Sequence, residues 1–246
     1  MIVDQEFIEA RAIKTYIVEE KFTSRKNNVY KISSVQHNGN KTRFVVKIYK
    51  GSPNNMQKEL SLLQKLNEKG LTVPVVYYAG TNNFIMEYLA GPHLLTVICR
   101  QEEIATNKNA YIYRSNYQLI RSLFCWLNNF YALAKEIIGE NIILEDINLR
   151  NFILKNDKIY GFDLEDYSTG EKERDAGRFG AFLLTYVPSF TVWKTDFVKE
   201  MFQVLKEFNY NELLVRQEME KEFTAINKRR GLEVSLKTRH AFLGNG

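Results

Sequence analysis

Five polar residues that are far apart in the chain combine the groups that phosphoryl transfer requires. In that chemistry a cation binds phosphate oxygens, oxygen ligands hold Mg²⁺, and a carboxylate orients the attacking hydroxyl. Each such residue, taken alone, is more often a surface lysine, a turn residue or a helix cap. Their types and spacing together indicate a phosphate-handling site. The five are Lys47, Glu59, Asp146, Asn151 and Asp163.

Lys47 lies in the run FVVKIYK, whose β-branched and aromatic residues predict a strand. Alternation along a strand places Val45, Lys47 and Tyr49 on one face, so the ammonium projects from an otherwise apolar surface. An edge-strand lysine is one interpretation, because charge on an edge discourages aggregation. A functional cation is the other, and the next helix favours it.

The helix predicted for residues 53–69 carries a carboxylate on its apolar stripe. Proline at its start and Gly70 after its end are typical of helix boundaries. The stripe consists of Met56, Glu59, Leu63 and Leu66. A buried carboxylate needs a positive partner or takes up a proton. We therefore predict that Glu59 pairs with Lys47 and holds its ammonium toward nucleotide phosphates.

Three polar residues of the second half flank a predicted β-hairpin. Asp146 and Asn151 lie in LEDINLRNFIL, before the first strand, and Asp163 follows the second strand in IYGFDLED. Because a hairpin folds the chain back, we expect Asp163 to lie close to Asn151. Both side chains offer the hard oxygen ligands that Mg²⁺ prefers. Asp146 would then be the carboxylate that orients an attacking hydroxyl.

The two parts of the chain differ in predicted secondary structure. Strands dominate the first ninety residues, with residues 53–69 as one helix, and helices dominate after Gly91-Pro92. This pattern predicts an α+β fold of two lobes with a cleft between them. We place the nucleotide-binding lobe at residues 1–88 and the catalytic, acceptor-binding lobe at residues 89–246.

Several segments resemble the protein-kinase-like superfamily, and within it the aminoglycoside and choline phosphotransferases. SRKNNVYKI resembles the phosphate-covering hairpin, FIMEYLAG the hinge strand, EDINLRNFIL the catalytic loop and GFDLED the metal-binding segment. RDAGRFGAFLLTY resembles the following helix, whose Asp175 would brace the catalytic loop. The resemblance extends from about Ile17 to Tyr186, roughly two-thirds of the chain.

The resemblance implies an ATP- and Mg²⁺-dependent kinase with a two-lobed kinase-like fold. Lys47 would contact the α- and β-phosphates and Glu59 would hold it, while Asp146 would be the catalytic base. Asn151 and Asp163 would bind Mg²⁺. Further nucleotide contacts would come from Ser24 and Asn28 in the phosphate-covering turn and from the backbone of Glu87 to Leu89 beside adenine.

Two departures from the family pattern keep a non-catalytic alternative open. Leu144 stands where the family usually has histidine, and Glu145 where it has glycine or arginine. The turn at residues 23–28 contains no glycine, so its backbone approaches a phosphate less easily and the side chains of Ser24 or Asn28 would substitute. A nucleotide-binding pseudokinase scaffold is therefore an alternative function.

The segment between Asp163 and Asp175 bears on the acceptor. It is short, no Ala-Pro-Glu tripeptide follows it, and Asn148 replaces a lysine that is typical of protein kinases. These features favour a hydroxyl of a small molecule as acceptor, with an atypical Ser/Thr protein kinase as the alternative. The acidic residues nearby would recognise a cationic amine or form a solvated loop. They are Glu145, Glu165, Asp166, Glu171 and Glu173.

Composition narrows the cellular setting. The 246 residues carry a net charge of +5 without a basic stripe interleaved with aromatics, so nucleic-acid binding is not expected. The sequence contains no stretch of about 18 consecutive apolar residues, so we do not expect a membrane-spanning helix. The first residues carry acidic groups before any apolar run, which does not suit a secretory signal. Cys99 and Cys125 lie in apolar helical patterns and are interpreted as reduced core thiols, which favours the cytoplasm.

Overall fold

A computed structural model gives the structure of most of the chain. It describes residues 2–51, 53–106 and 115–230. These residues form a mixed fold of α-helices and antiparallel strands.

The chain divides into two compact units. The first comprises residues 1–91 together with 160–165, and the second comprises residues 92–159 and 166–246. The division predicted at residue 88 did not anticipate the return of residues 160–165 to the first unit. The Gly161 N–H donates to the Thr72 carbonyl at 3.2 Å, which attaches this segment there.

A five-stranded antiparallel sheet is the frame of the first unit. Its strands confirm that the first ninety residues are rich in strands: β1 (Ile13–Phe22), β2 (Asn27–Gln36), β3 (Lys41–Tyr49), β4 (Val76–Ala79) and β5 (Asn83–Glu87). The spatial order β1-β2-β3-β5-β4 places β3 in the centre. The edge-strand interpretation of Lys47 is therefore wrong.

The two faces of this sheet carry different residues. The short helix α1 (Gln5–Ala10) packs on one face through an apolar cluster. The cluster contains Val3, Phe7, Ile13, Ile32, Phe44, Val46 and Ile85. Because side chains alternate along a strand, Lys47 lies on the opposite face. Helix α2 (Pro53–Glu68) matches the predicted helix, and its stripe of Met56, Glu59, Leu63 and Leu66 is buried.

Helices dominate the described part of the second unit. They are α3 (Leu94–Thr106), α4 (Tyr117–Ile138), α5 (Lys172–Thr185), α6 (Val192–Glu207) and α7 (Glu212–Arg230). The predicted hairpin is formed by β7 (Phe152–Lys155) and β8 (Lys158–Gly161), whose last two residues belong to the first unit. Strand β6 (Ile142–Leu144) pairs antiparallel with β9 (Tyr167–Thr169). A 3₁₀ turn at Leu149–Asn151 precedes β7.

A glycine allows α5 to lie directly against α7. A Cβ at Gly177 would be 2.6 Å from the Glu218 Cβ and 2.8 Å from the Met219 backbone nitrogen, closer than side-chain carbons approach. Helix α5 is thereby held against a neighbouring backbone. The same helix carries Asp175.

The two cysteines are not core thiols, and that prediction is wrong. Cys99 on α3 and Cys125 on α4 are both exposed. The residues directly before them, Ile98 and Phe124, are buried, and a step of one residue turns a helix by about 100°. Each cysteine therefore lies beside the buried face of its helix.

Among the described residues, no helix combines the length and the apolar character that a membrane span requires.

Candidate functional site

Lys47 is a buried cation in the middle of the first unit's sheet. It lies opposite Val29 of β2 and Phe84 of β5, and only 4% of its surface is exposed. An ammonium in such surroundings is costly unless anions and hydrogen-bond acceptors surround it.

Three carboxylates supply that compensation. The Lys47 Nζ lies 2.6 Å from Glu59 Oε2, 2.6 Å from Asp163 Oδ1 and 3.4 Å from Glu165 Oε2. The predicted pair of Lys47 and Glu59 is present. Although burial lowers the pKa of Lys47, the charges of Glu59 and Asp163 more than offset it, so the pKa lies well above its usual range.

Glu59 is the most deeply buried of these acids. Its Oε2 accepts hydrogen bonds from Lys47 Nζ and from the Tyr49 hydroxyl, and its Oε1 accepts one from the Leu164 N–H at 3.2 Å. Burial raises the pKa of Glu59, and the charge of Lys47 opposes that shift. Because donors engage both oxygens, the orientation of this carboxylate is fixed.

The backbone at Asp163 brings two groups to the Lys47–Glu59 pair. Asp163 has a left-handed conformation with φ of 60°, which aspartate adopts more readily than most residues. Its carboxylate binds Lys47, and the N–H of the next residue binds Glu59. This turn therefore links the segment after β8 to both β3 and α2.

The cluster carries more acid than base. Glu59, Asp163 and Glu165 each offer a carboxylate oxygen, and these oxygens all lie within 4.8 Å of one another around a single ammonium. Carboxylate oxygens are the ligands that a hard divalent cation such as Mg²⁺ prefers, and here the Lys47 ammonium already contacts all three residues. Asp163 is the accessible member, because 48% of its side chain is exposed, whereas only 1% of Glu59 and 8% of Glu165 are.

Sequence reasoning missed Asn27 and the structural role of Glu165. The Asn27 Nδ2 donates to Glu165 Oε2 at 2.6 Å, and both side chains are buried. Asn27 lies two residues before Val29, which is opposite Lys47. Strand alternation therefore places Asn27 on the lysine's face once the register of β2 against β3 is known.

The residues predicted for the phosphate-covering turn lie beside Asn27. The Ser24 Oγ is exposed and accepts the Asn27 N–H at 3.2 Å. Asn28 is half-buried on β2, opposite Ile48 of β3. Their predicted contacts with phosphate remain predictions.

The segment predicted to contact adenine lies at the end of β5. The Glu87 N–H donates to the Val75 carbonyl at 2.8 Å, so this backbone donor already serves the sheet. The Leu89 side chain is buried. The adenine contact of residues 87–89 remains a prediction.

In the second unit, the segment containing Asp146 and Asn151 forms a compact turn. The Asp146 side chain is exposed, and the Asp146 carbonyl accepts a hydrogen bond from the Asn151 amide nitrogen at 3.1 Å. This bond does not use the Asn151 amide oxygen, the atom that would bind a metal ion. The convergence of Asn151 with Asp163, a residue of the first unit, remains a prediction.

Asp175 of α5 braces this segment, as the resemblance implies. Its Oδ2 accepts the Leu144 N–H at 2.7 Å and the Tyr131 hydroxyl at 2.8 Å. Burial raises the pKa of Asp175 from 3.8 to about 7, although both hydrogen bonds oppose the shift. Leu144, the residue whose N–H Asp175 accepts, is itself buried.

Three of the five acidic residues considered for amine recognition have protein partners. Glu145 binds Arg178 at 3.1 Å, Glu165 binds Asn27, and Glu173 accepts the Asn211 N–H at 3.1 Å. Glu165 and Glu173 are also buried, so the solvated-loop interpretation is wrong for these two. An amine ligand would have to compete with these bonds.

A scan against protein-family models and a search of curated proteins found no match to this sequence.

Replacing Asn27 tests whether the buried contact with Glu165 is energetically important. Asn27→Ala leaves the Glu165 carboxylate without its 2.6 Å donor, and losing a buried hydrogen bond to a charged group costs about 1.5–3 kcal/mol. We expect the free energy of unfolding in urea to fall by about that amount. Asn28→Ala, one residue along the same strand, is the matched control and should change it much less. Equal effects of the two variants would contradict the assignment.

The raised pKa of Asp175 predicts a pH-dependent stability. Because its pKa is higher in the folded chain than the usual 3.8, the native state binds the proton more tightly, and stability falls as pH rises toward 7. Relative to Asp175→Asn, which does not titrate, the wild-type free energy of unfolding should fall by about 1 kcal/mol per pH unit between about pH 5 and 7. Urea unfolding of both proteins at several pH values measures this. A constant difference across the range would show that Asp175 does not titrate there.

Proposed function

We propose that this protein is an ATP- and Mg²⁺-dependent phosphotransferase that moves the γ-phosphate to a hydroxyl of a small molecule. The two units would then correspond to the two lobes of a kinase-like fold. The first would bind the nucleotide, and the second would supply the groups that position the acceptor.

One observation carries the proposal: the buried Lys47 ammonium contacts both Glu59 and Asp163 at 2.6 Å. A purely structural lysine would need one counter-ion, because each additional buried carboxylate adds a desolvation cost. Here a third acid, Glu165, lies within 3.4 Å. An excess of acid beside a fixed cation suits a ligand that brings both metal ions and phosphates.

The donor set fits the proposed chemistry. Asp163 would hold Mg²⁺ with Asn151 as the second protein ligand, and the ion would neutralise charge on the phosphates. Lys47, held by Glu59, would bind phosphate oxygens, and Asp146 would accept the proton of the acceptor hydroxyl. The exposure of the Asp163 side chain suits a metal ligand, whereas the burial of Glu59 suits a support.

The segment that follows Asp163 favours a small acceptor over a peptide. Residues 167–169 form β9, which pairs with β6, and α5 begins at Lys172. Little chain therefore remains to form a peptide-binding surface. An atypical protein kinase is the second candidate function. An assay of turnover with small-molecule and protein acceptors distinguishes the two.

Lys47→Met tests the function directly, because it removes the charge but keeps an unbranched side chain. We expect kcat for magnesium-dependent nucleotide consumption to fall on the order of 10²-fold or more, since electrostatic stabilisation dominates this reaction class. The acceptor panel contains amino-alcohols, sugars, aminoglycosides and generic protein substrates. Lys41→Met, at the exposed start of the same strand, is the control and should retain wild-type turnover.

The pattern of turnover decides among the candidate functions. Normal kcat in a folded Lys47→Met variant would contradict the role of the lysine. Turnover with proteins alone would indicate an atypical protein kinase. Nucleotide binding without turnover in the wild type would indicate a pseudokinase.

A further inference from the structure

Arg178 of α5 binds the residue directly before Asp146 at two points. Its Nη1 donates to the Glu145 carbonyl oxygen at 3.3 Å and to the Glu145 Oε2 at 3.1 Å. Only 15% of the Arg178 side chain is exposed, so water competes weakly for these bonds. The Glu145 carbonyl belongs to the rigid peptide plane that joins residues 145 and 146. The contact therefore fixes the orientation of that plane.

The peptide plane on the other side of Asp146 is also held. The Asp146 carbonyl accepts the Asn148 N–H at 2.9 Å and the Asn151 amide nitrogen at 3.1 Å. The two planes that meet at a Cα atom determine its φ and ψ. With both planes bound, the direction in which the Asp146 side chain leaves the backbone is set.

The carboxylate of Glu145 is itself anchored, which keeps it available to Arg178. The Ser168 hydroxyl donates to its Oε1, and the Glu145 N–H donates to the Asp166 carbonyl at 3.0 Å. The bond from Ser168, followed by that from Arg178, lowers the pKa of Glu145. Glu145 therefore remains an anion at neutral pH.

Helix α5 provides the fixed base for this contact. Asp175, one turn before Arg178, holds the Leu144 N–H at 2.7 Å. The Arg178 Nε also lies 3.8 Å from Glu222 Oε2 on α7. Asp175 and Arg178 of one helix thus bind consecutive residues, 144 and 145, directly before the candidate base, and Arg174 Nη2 of the same helix lies 3.8 Å from Glu145 Oε2.

We propose that Arg178 is a positioning residue for Asp146, acting through the backbone and carboxylate of Glu145. This role rests on the proposed function, in which Asp146 orients the acceptor hydroxyl. It also explains why an acid is accommodated at position 145, because the Glu145 carboxylate is the group to which Arg178 of α5 binds.

Arg178→Met tests the proposal through two independent measurements. We expect kcat to fall about 10-fold or more with the KM for ATP unchanged, because a small misplacement of a catalytic group is costly whereas nucleotide binding depends on the first unit. Hydrogen exchange followed by mass spectrometry should show faster exchange of amides 144–151 and unchanged exchange in β3 and α2. Arg229→Met is the control, because Arg229 binds Glu222 as Arg178 does, whereas the arginines that pair with Glu145 among the described residues are Arg174 and Arg178. It should alter neither measurement.

Glu145→Gln keeps the test decisive if Arg178→Met does not fold. This substitution preserves the side-chain shape but removes the charge that Arg178 binds. We therefore expect a smaller fall in kcat and a smaller increase in the exchange of amides 144–151. Wild-type kcat and wild-type exchange in the folded variant would overturn the proposal. The two proposals fail separately: a wild-type protein without turnover on any acceptor contradicts the proposed function, whereas the exchange of amides 144–151 still tests the role of Arg178.

Discussion

Burying the Lys47 ammonium constrains most of the first unit. A charge in the centre of a sheet is tolerated only when anions and hydrogen-bond acceptors replace the water that it has lost. Glu59 of α2, Asp163 and Glu165 fill that need, and each comes from a different stretch of chain than β3. The lysine therefore fixes the helix and the segment after β8 against one sheet face. The same arrangement leaves an exposed carboxylate, Asp163, beside a fixed cation.

In the second unit, too, polar groups that are shielded from water position an exposed carboxylate. Its acid Asp146 is exposed, whereas Asp175, which holds the Leu144 N–H, is buried, and Arg178, which holds the Glu145 carbonyl, is half-buried. Asp175 and Arg178 lie on α5, which Gly177 allows to rest directly on α7. In both units, a polar group shielded from water keeps its hydrogen bonds only in a few arrangements of its partners. These shielded groups therefore determine where the exposed carboxylate lies.

The periodic spacing of apolar residues made the pair of Lys47 and Glu59 predictable from the sequence. Alternation in FVVKIYK and the stripe containing Glu59 predicted the buried pair, because both depend on local geometry. The partnership of Asn27 with Glu165 joins residues 138 positions apart, and only the packed fold reveals it. The cysteines were misplaced because one helical step separates a buried position from an exposed one. The charges of Glu145 and Arg178 were visible in the sequence, but their contact depends on how α5 lies beside β6.

The most direct test is a thermal shift of the wild type and Asp163→Ala with ATP, in the presence and absence of Mg²⁺. The exposure of the Asp163 side chain makes a folded variant expected. A ligand at about 100 times its Kd stabilises a protein by roughly 2.7 kcal/mol, which a melting curve resolves. We predict that ATP raises the wild-type Tm only with Mg²⁺, and that Asp163→Ala abolishes this shift. An equal magnesium-dependent shift in both proteins would contradict the site, and no shift in the wild type would contradict nucleotide binding.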